Sequence, residues 1–195
     1  MPISDFSEEI LSKYEIYEWK HSIAILKNDF PSEWTDLLDL LQSIKIKRSW
    51  ITTPGGSKSP LAEWIDDFMS KRGWVEKKFL TSVIVDDSRM DSPTHKVDSY
   101  KNRIAVELEW NNKDPFYDRD LNNFRLLFDL RAISVGVIIT RCDELQEIFD
   151  RLGRRTSYGN STTHISKLLP KIEGGGGAGC PILAIGMTKA LYEED

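Results

Sequence analysis

The sequence predicts an α/β fold, a central mixed β-sheet flanked by helices, and three observations carry that prediction. ISVGVIIT at 133–140 and PILAIGM at 181–187 are short, uninterrupted apolar runs, the pattern of strands buried on both faces. RIAVELEW at 103–110 reads as a third buried strand despite two glutamates. Helical and strand periodicities alternate along the chain instead of falling into separate blocks, which is the order of a sheet with helices on its faces. A length of 195 residues suffices for one domain with a sizeable core. That domain is expected over 1–195, with a helical N-terminal part at about 1–50 and a core at about 60–188.

From the N-terminus, residues 6–19 read as an amphipathic helix with Phe6, Ile10, Leu11 and Tyr14 on one side. HSIAIL, from His21, is a short strand candidate. Pro31 and Glu33 open a helix with Ser32 as its N-cap, and Trp34, Leu37, Leu38, Leu40 and Leu41 give it an apolar face. ITTPGGSKSP at 51–60 is a loop by composition, and residues 61–71 form a helix ended by Gly73. Residues 79–85 are a strand, and DDSRMDSPTH at 86–95 is a polar connection. A strand around 96–100 turns into the one at 103–110. Then follow a long helix at 117–131, the strand at 133–140 and a helix at 143–152. GRRTSYGNSTTH at 153–164 is loop-like and runs into a short helix near 163–169. EGGGGAG is a further loop, without the strand, helix and lysine of a phosphate cradle around it.

Bulk properties narrow the classes. Hydrophobic residues at 40 % and charged residues at 29 % suit a globular protein. No apolar run approaches the roughly 18–20 residues that span a bilayer, so no membrane partner is expected. The acidic start MPISDFSEEILSKYE does not read as a signal or transit peptide. Cys142 and Cys180 make neither a metal-ligand spacing nor a disulfide framework, which points to two reduced thiols in a cytoplasmic protein. A net charge of −5 argues weakly against a nucleic-acid partner, but binding follows local patches. Basic clusters stand at Lys45, Lys47 and Arg48, at Lys71 and Arg72, at Lys77 and Lys78, and at Arg151, Arg154 and Arg155.

The strand at 103–110 poses the chemical question. Glutamate is a poor strand former and costly to bury unpaired. Yet Glu107 and Glu109 share a face with Arg103 and Ala105, while Ile104, Val106 and Leu108 point the other way. A tight turn centred on Lys101 and Asn102 would pair residue 99 with 104 and 98 with 105, making Asp98 a diagonal neighbour of Glu107. Three carboxylates so placed repel one another and need raised pKa values or a cation. A hard divalent ion suits them: Mg²⁺ takes one or two carboxylates and completes its shell with water and phosphate oxygens. Such an ion activates water for attack on a phosphodiester. Asp98 and Glu107 would be the metal ligands, and Glu109 would orient or deprotonate the water or hold a second metal. The competing reading is a solvated acidic strand face balanced by Arg103 and nearby lysines.

Asp98-x8-Glu107-x-Glu109 resembles the core motif of the PD-(D/E)XK nucleases in their restriction-endonuclease form. The last position is lysine in the common form; Glu109 resembles the BamHI-like branch, while BglII itself has glutamine there. DSYKNRIAVELEW, the Asn111-Asn112 pair after it, the next helix, ISVGVIIT, a Ser/Thr/Asn-rich loop and CPILAIGM together resemble the BglII/BstYI group of type II restriction endonucleases. The resemblance covers roughly residues 60–188. It implies a PD-(D/E)XK core and a homodimer acting on double-stranded DNA, with one or two Mg²⁺ per active site and no small-molecule cofactor. It further implies cleavage of both strands of a short palindromic site, around a GATC core and with 5′ overhangs in relatives. Catalysis is assigned to Asp98, Glu107 and Glu109. Some relatives carry a further acidic residue after a Gly-Trp pair, a position that Glu76 matches here; a surface glutamate beside Lys77 and Lys78 is the plainer reading.

Base readout needs amides, hydroxyls and guanidinium groups. Asn111 and Asn112 follow the acidic strand directly, with Lys113 behind them. A second source of donors is the loop carrying Arg154, Arg155, Thr156, Ser157, Tyr158, Asn160, Ser161 and Thr162. Lys113, Lys101 and Lys167 are candidates for phosphates. His164 is expected as a loop or cap residue, not a base. The helices at 33–43 and 117–131 are candidates for a twofold dimer interface. Three alternatives stay open: a repair or recombination nuclease of the same fold without palindromic specificity, a catalytically silent DNA-binding or scaffold protein that keeps the fold, and a metalloprotein with an acidic patch but no DNA cleft. The intact Asp98, Glu107 and Glu109 speak against the silent form.

Overall fold

The β-branched runs form the middle of a six-stranded sheet. The structure, a computed structural model, describes residues 5–53 and 58–195. Its helices are α1 (Glu8–Lys13), α2 (Ser22–Asp29), α3 (Pro31–Ser43), α4 (Arg48–Thr52), α5 (Pro60–Ser70), α6 (Pro115–Asp129), α7 (Leu145–Arg151) and α8 (Ile165–Glu173). Its strands are β1 (Tyr14–Trp19), β2 (Ile46–Lys47), β3 (Val75–Val85), β4 (Ser88–Lys101), β5 (Ile104–Glu109), β6 (Val135–Arg141), β7 (Ile182–Met187) and β8 (Tyr192–Glu193). The sheet order is β1-β7-β6-β5-β4-β3, and β2 and β8 make a separate short pair. β5, β6 and β7 run parallel, whereas β1, β4 and β3 pair antiparallel with their neighbours. The sheet is therefore mixed and flanked by helices, as predicted.

Burial on both faces explains the unbroken apolar text of the central strands. Val135, Val137 and Ile139 of β6 pack with residues of α1, α2, α3, α5 and α7. Ile138 packs on the opposite side with α6 and α8. Gly136 lets α6 approach closely: a Cβ there would lie 2.3 Å from Cδ2 of the buried Phe124 ring. Among the described residues, no helix is long and apolar enough to cross a membrane.

The N-terminal expectations need correction. Only residues 8–13 of the predicted first helix are helical; Tyr14 to Trp19 is a strand at the sheet edge, paired with β7. Its buried Tyr14 and Ile16 alternate with exposed Glu15 and Tyr17, a period-two signal that the helical reading overrode. HSIAIL is not a strand but the start of α2, whose buried Ile23 and Leu26 are spaced for a helix. Four apolar residues in a row do not discriminate the two periods. Ser32 is not the cap of α3; Phe30 holds that position and Pro31 opens the first turn. Of the loop expected at 51–60, residues 54–57 lie outside the described residues, and Ile51 and Thr52 belong to α4. The polar stretch at 86–95 is mostly strand: the turn is confined to Asp86 and Asp87, and β4 starts at Ser88. Finally, α3 and α6 turn Trp34, Leu37, Leu40, Leu41, Tyr117, Leu121, Phe124 and Leu127 into the core, so these apolar faces are not dimer surfaces.

Gly136→Ala should therefore destabilise the protein by about 1–3 kcal/mol, because the Phe124 ring has no space to retreat. Urea unfolding measures this, and an unchanged midpoint would show that α6 does not press on the sheet at this point.

Candidate active site

The hairpin before the acidic strand sets the geometry. Its two turn residues are Asn102 and Arg103, with φ of 43° and 69°, not Lys101 and Asn102. Both central residues of this turn type need positive φ, which its twist-matched geometry imposes. The register is accordingly Ser99↔Val106, Tyr100↔Ala105 and Lys101↔Ile104, two residues away from the expected pairing. A slip of two leaves every side chain on its predicted face. It brings Glu107 opposite Asp98 itself rather than diagonal to it.

At Asp98 the regular ladder stops. β4 carries one extra residue between Val97 and Tyr100 relative to β3, a bulge that re-aims the chain. Side chains replace the missing ladder bonds: the Asp98 amide donates to Glu107 Oε2 at 3.3 Å, and the Leu108 amide donates to Asp98 Oδ2 at 3.1 Å. Asp98 is exposed, whereas Glu107 and Glu109 are 0 % and 1 % exposed. That burial rules out the solvated acidic face. Arg103, in the turn, is exposed and does not balance the glutamates.

A fourth carboxylate completes the cluster. Asp120 of α6 is 0 % exposed and lies in hydrogen-bond contact with the Glu109 carboxyl group. Two carboxyl groups in such contact require a proton between them or a cation beside them. The Arg119 guanidinium bridges the pair, with Nη2 3.4 Å from Glu109 Oε1 and 2.8 Å from Asp120 Oδ1. Asn112 donates to Glu109 Oε2 at 2.9 Å. The main chain of Glu109 is fixed as well: its carbonyl accepts from Thr140 Oγ1 at 2.8 Å and Thr163 Oγ1 at 3.2 Å. Asp120 was absent from the sequence reading, although helical spacing with Tyr117, Phe124 and Leu127 marks it as the acidic member of an apolar face.

Burial dominates the protonation of this group. It pushes the Glu107 carboxyl well above the usual range, with Asp120 and Asp98 adding repulsion. Burial and Asp120 push Glu109 up to about 9. Asp120 is raised by burial too, although contact with Glu109 and Arg119 opposes the shift. Glu107 Oε1 and Asp120 Oδ2 are buried and accept no hydrogen bond. Buried acceptors without donors are unfavourable, and an all-oxygen set of this kind suits a hard divalent cation. Among the described residues, no group of three His, Cys, Asp or Glu side chains is arranged to hold an ion alone.

The opposite face of β5 lines an open cleft of about 700 Å³. Leu108 and Trp110 face into it, and α4 and α5 contribute Trp50, Pro60 and Asp66. The structure brings Asp98, Asn111, Asn112, Arg154, Ser157 and Tyr158 together around it. Arg155, Thr156, Asn160 and Ser161 are exposed nearby in sequence, and Lys113 Nζ lies 3.5 Å from Ser161 Oγ. Two of the expected DNA contacts also take part in the framework. The Tyr158 ring is buried and stacked on Phe149, centroids 4.2 Å apart, and the Thr162 hydroxyl is taken by Arg141 at 3.0 Å. Lys101 and Lys167 are also engaged, with Asp36 and Asp114. His164 heads α8 with its ring 2.6 Å from Asp143, a loop-and-cap role as expected. Glu76 is exposed and paired with Lys96 at 2.7 Å, but it shares a small cleft with Asp98 and Ser99.

Residues 14–187 match the family model described as restriction endonuclease BglII/BglIII. No curated protein matches the chain.

The raised carboxyl groups fix a pH dependence. A pKa lifted from 4.5 to about 9 on folding stabilises the fold fully below the unfolded value. That contribution is lost as pH rises through about 9. In EDTA, the urea midpoint should therefore fall between pH 5 and pH 9, and Glu109→Gln should flatten the fall. Equal pH dependence in both proteins would show that Glu109 is not the group titrating.

Proposed function

The chain belongs to the BglII/BglIII restriction endonuclease family and is a type II site-specific deoxyribonuclease; we propose that it cuts both strands of a short palindromic DNA site as a Mg²⁺-dependent homodimer. A GATC core and 5′ overhangs are part of the proposal, as is a cytoplasmic location. One observation carries the reading. Asp98 belongs to two environments at once, the rim of the open cleft and the buried carboxylates behind β5. A phosphodiester lying in the cleft would meet the acidic group at that residue.

In the proposed reaction Asp98 and Glu107 would hold the cation, with Asp120 as a further acceptor close by. A bound divalent cation polarises the phosphodiester and lowers the pKa of a coordinated water. Burial and Asp120 raise the Glu109 carboxyl to about 9, so it would serve as an acceptor only with a cation beside it. Asn112 and Arg119 keep its two oxygens in place meanwhile. Asn112 is therefore a positioning residue, and base reading falls to Asn111 and the exposed loop side chains. Lys113 and Arg154 would contact phosphates, which sets register without reading sequence. Two copies related by a twofold axis would present two such sites to the two strands.

Purified protein incubated with phage DNA should give discrete fragments with Mg²⁺ and none with EDTA; a smear would overturn the site-specific palindromic reading. Glu107→Ala should reduce cleavage by roughly 10³-fold while DNA binding in the absence of divalent cations persists. Cleavage at the wild-type rate in that variant would remove Glu107 from the reaction.

A further inference from the structure

The largest fully buried side chain in the described structure is a charged one, Arg141, at 1 % exposure. It ends β6 on the face shared with Val135, Val137 and Ile139. Among the described residues it forms no ion pair with a carboxylate, an expensive state for a guanidinium. Its Nη2 donates instead to the Tyr158 carbonyl at 3.3 Å, Thr162 Oγ1 at 3.0 Å and Gln146 Oε1 at 3.5 Å. The ring of Phe149 lies 5.2 Å from the guanidinium, and Nε is buried with no acceptor. The two loop acceptors stand at either end of residues 159–161, of which Asn160 and Ser161 are exposed.

The same loop is fastened to the acidic strand from its other side. The Thr163 amide donates to the Asn112 carbonyl at 2.8 Å, and Thr163 Oγ1 donates to the Glu109 carbonyl at 3.2 Å. Lys113 and Thr162 form an isolated bridge, and Tyr158 packs against Trp110 with centroids 5.8 Å apart. β6 itself holds β5 in register, Thr140 opposite Glu109. Arg141 thus touches the loop directly and reaches Glu109 through its own strand.

Building on the nuclease reading above, we propose that Arg141 is a positioning residue for sequence discrimination: it pins both ends of residues 159–161 and fixes where Asn160 and Ser161 stand relative to Glu109. All three acceptors are served by Nη2, which the rigid guanidinium plane holds between them, a placement that the flexible ammonium of lysine matches only in part. Coupling of this kind accounts for a buried charge that adds little to stability but holds one arrangement of a polar loop.

The test compares wild type with Arg141→Lys and Arg141→Met in two readouts. In DNA-free protein, hydrogen exchange at the Thr162 and Thr163 amides should accelerate about ten-fold in Arg141→Met while β6 and β7 amides keep their protection. On DNA, kcat/KM for the preferred site over a site changed at one base pair should fall on the order of ten-fold, with Arg141→Lys intermediate. Unchanged loop exchange overturns the pin, and faster exchange with discrimination intact overturns its link to specificity. Should Arg141→Met not fold, Arg141→Lys keeps the charge and yields the same two readouts. Wild-type protein that cuts no DNA sinks the nuclease reading, and the specificity role with it, while the exchange measurement still decides the pin.

Discussion

The burial of two strand carboxylates against a third on α6 is the constraint around which this protein is arranged. Glu107, Glu109 and Asp120 each give up solvation that no hydrophobic contact restores. Their stability rests on Arg119, on Asn112, and on a proton or a cation among them. Such a cluster is tolerable only where its members cannot drift apart or together. α6 is accordingly locked down on both sides of Asp120. Tyr117 donates to the hydroxyl of Thr140, which in turn bonds the Glu109 carbonyl, and Phe124 rests on Gly136. The acidic strand, the Asn111-Asn112 turn and the helix that carries Asp120 are one continuous stretch, from Ile104 to Asp129. A change at any of them moves the others.

β5 separates two environments, and this division of labour follows from strand geometry alone. Alternation gives Ala105, Glu107 and Glu109 to α6, and Ile104, Val106, Leu108 and Trp110 to the core and the cleft. A regular β4 would have kept the acidic side closed off from the cleft. The extra residue between Val97 and Tyr100 breaks that regularity, and Asp98 is the side chain it releases. The bulge is therefore part of the site and not a defect of the sheet. The polar loop after α7 closes the other edge of the cleft, and its hydrogen bonds run to the same few residues at the end of β5 and β6.

Much of this was legible in the sequence. The mixed sheet, its central strands and the helices at 61–71, 117–131 and 143–152 follow from pattern, because buried strands and amphipathic helices advertise their periods over many residues. The shared face of Glu107 and Glu109 followed from alternation, and it survived an error in the hairpin register because the error was an even one. What was lost had short or mixed signals. Tyr14 to Trp19 is a strand only because β7 offers it an edge, and SIAIL is helical because α2 packs Ile23 and Leu26 against the sheet. Tyr158 and Thr162 looked like loop donors, since composition alone does not reveal that a loop stacks on Phe149 and is tied to a buried arginine. Asp120 and Arg141 were both detectable as charges on otherwise apolar faces, the one by helical and the other by strand spacing.

Several of the basic residues visible in the sequence are engaged with acidic neighbours. Lys45 pairs with Glu193, Arg48 and Arg151 with Glu194, Lys71 with Asp67, and Arg72 with Asp36 and Asp39. On the proposed function, a phosphate would be drawn by the loop, by Lys113 and by Lys47, Lys77 and Lys78, the cluster lysines that make no ion pair among the described residues, and it would meet the acidic group at the end of its path. Four ionised carboxylates would repel it. Burial raises Glu109 to about 9 and shifts Glu107 and Asp120 in the same direction, which lowers that repulsion. On the proposed function, a carboxyl raised in this way would also be withheld as a base until a cation stood beside it. Under the proposed function, burial of the glutamates in β5 would ease the approach of a phosphate and tie the chemistry to a cation beside them, two effects that a solvent-exposed acidic face would not produce.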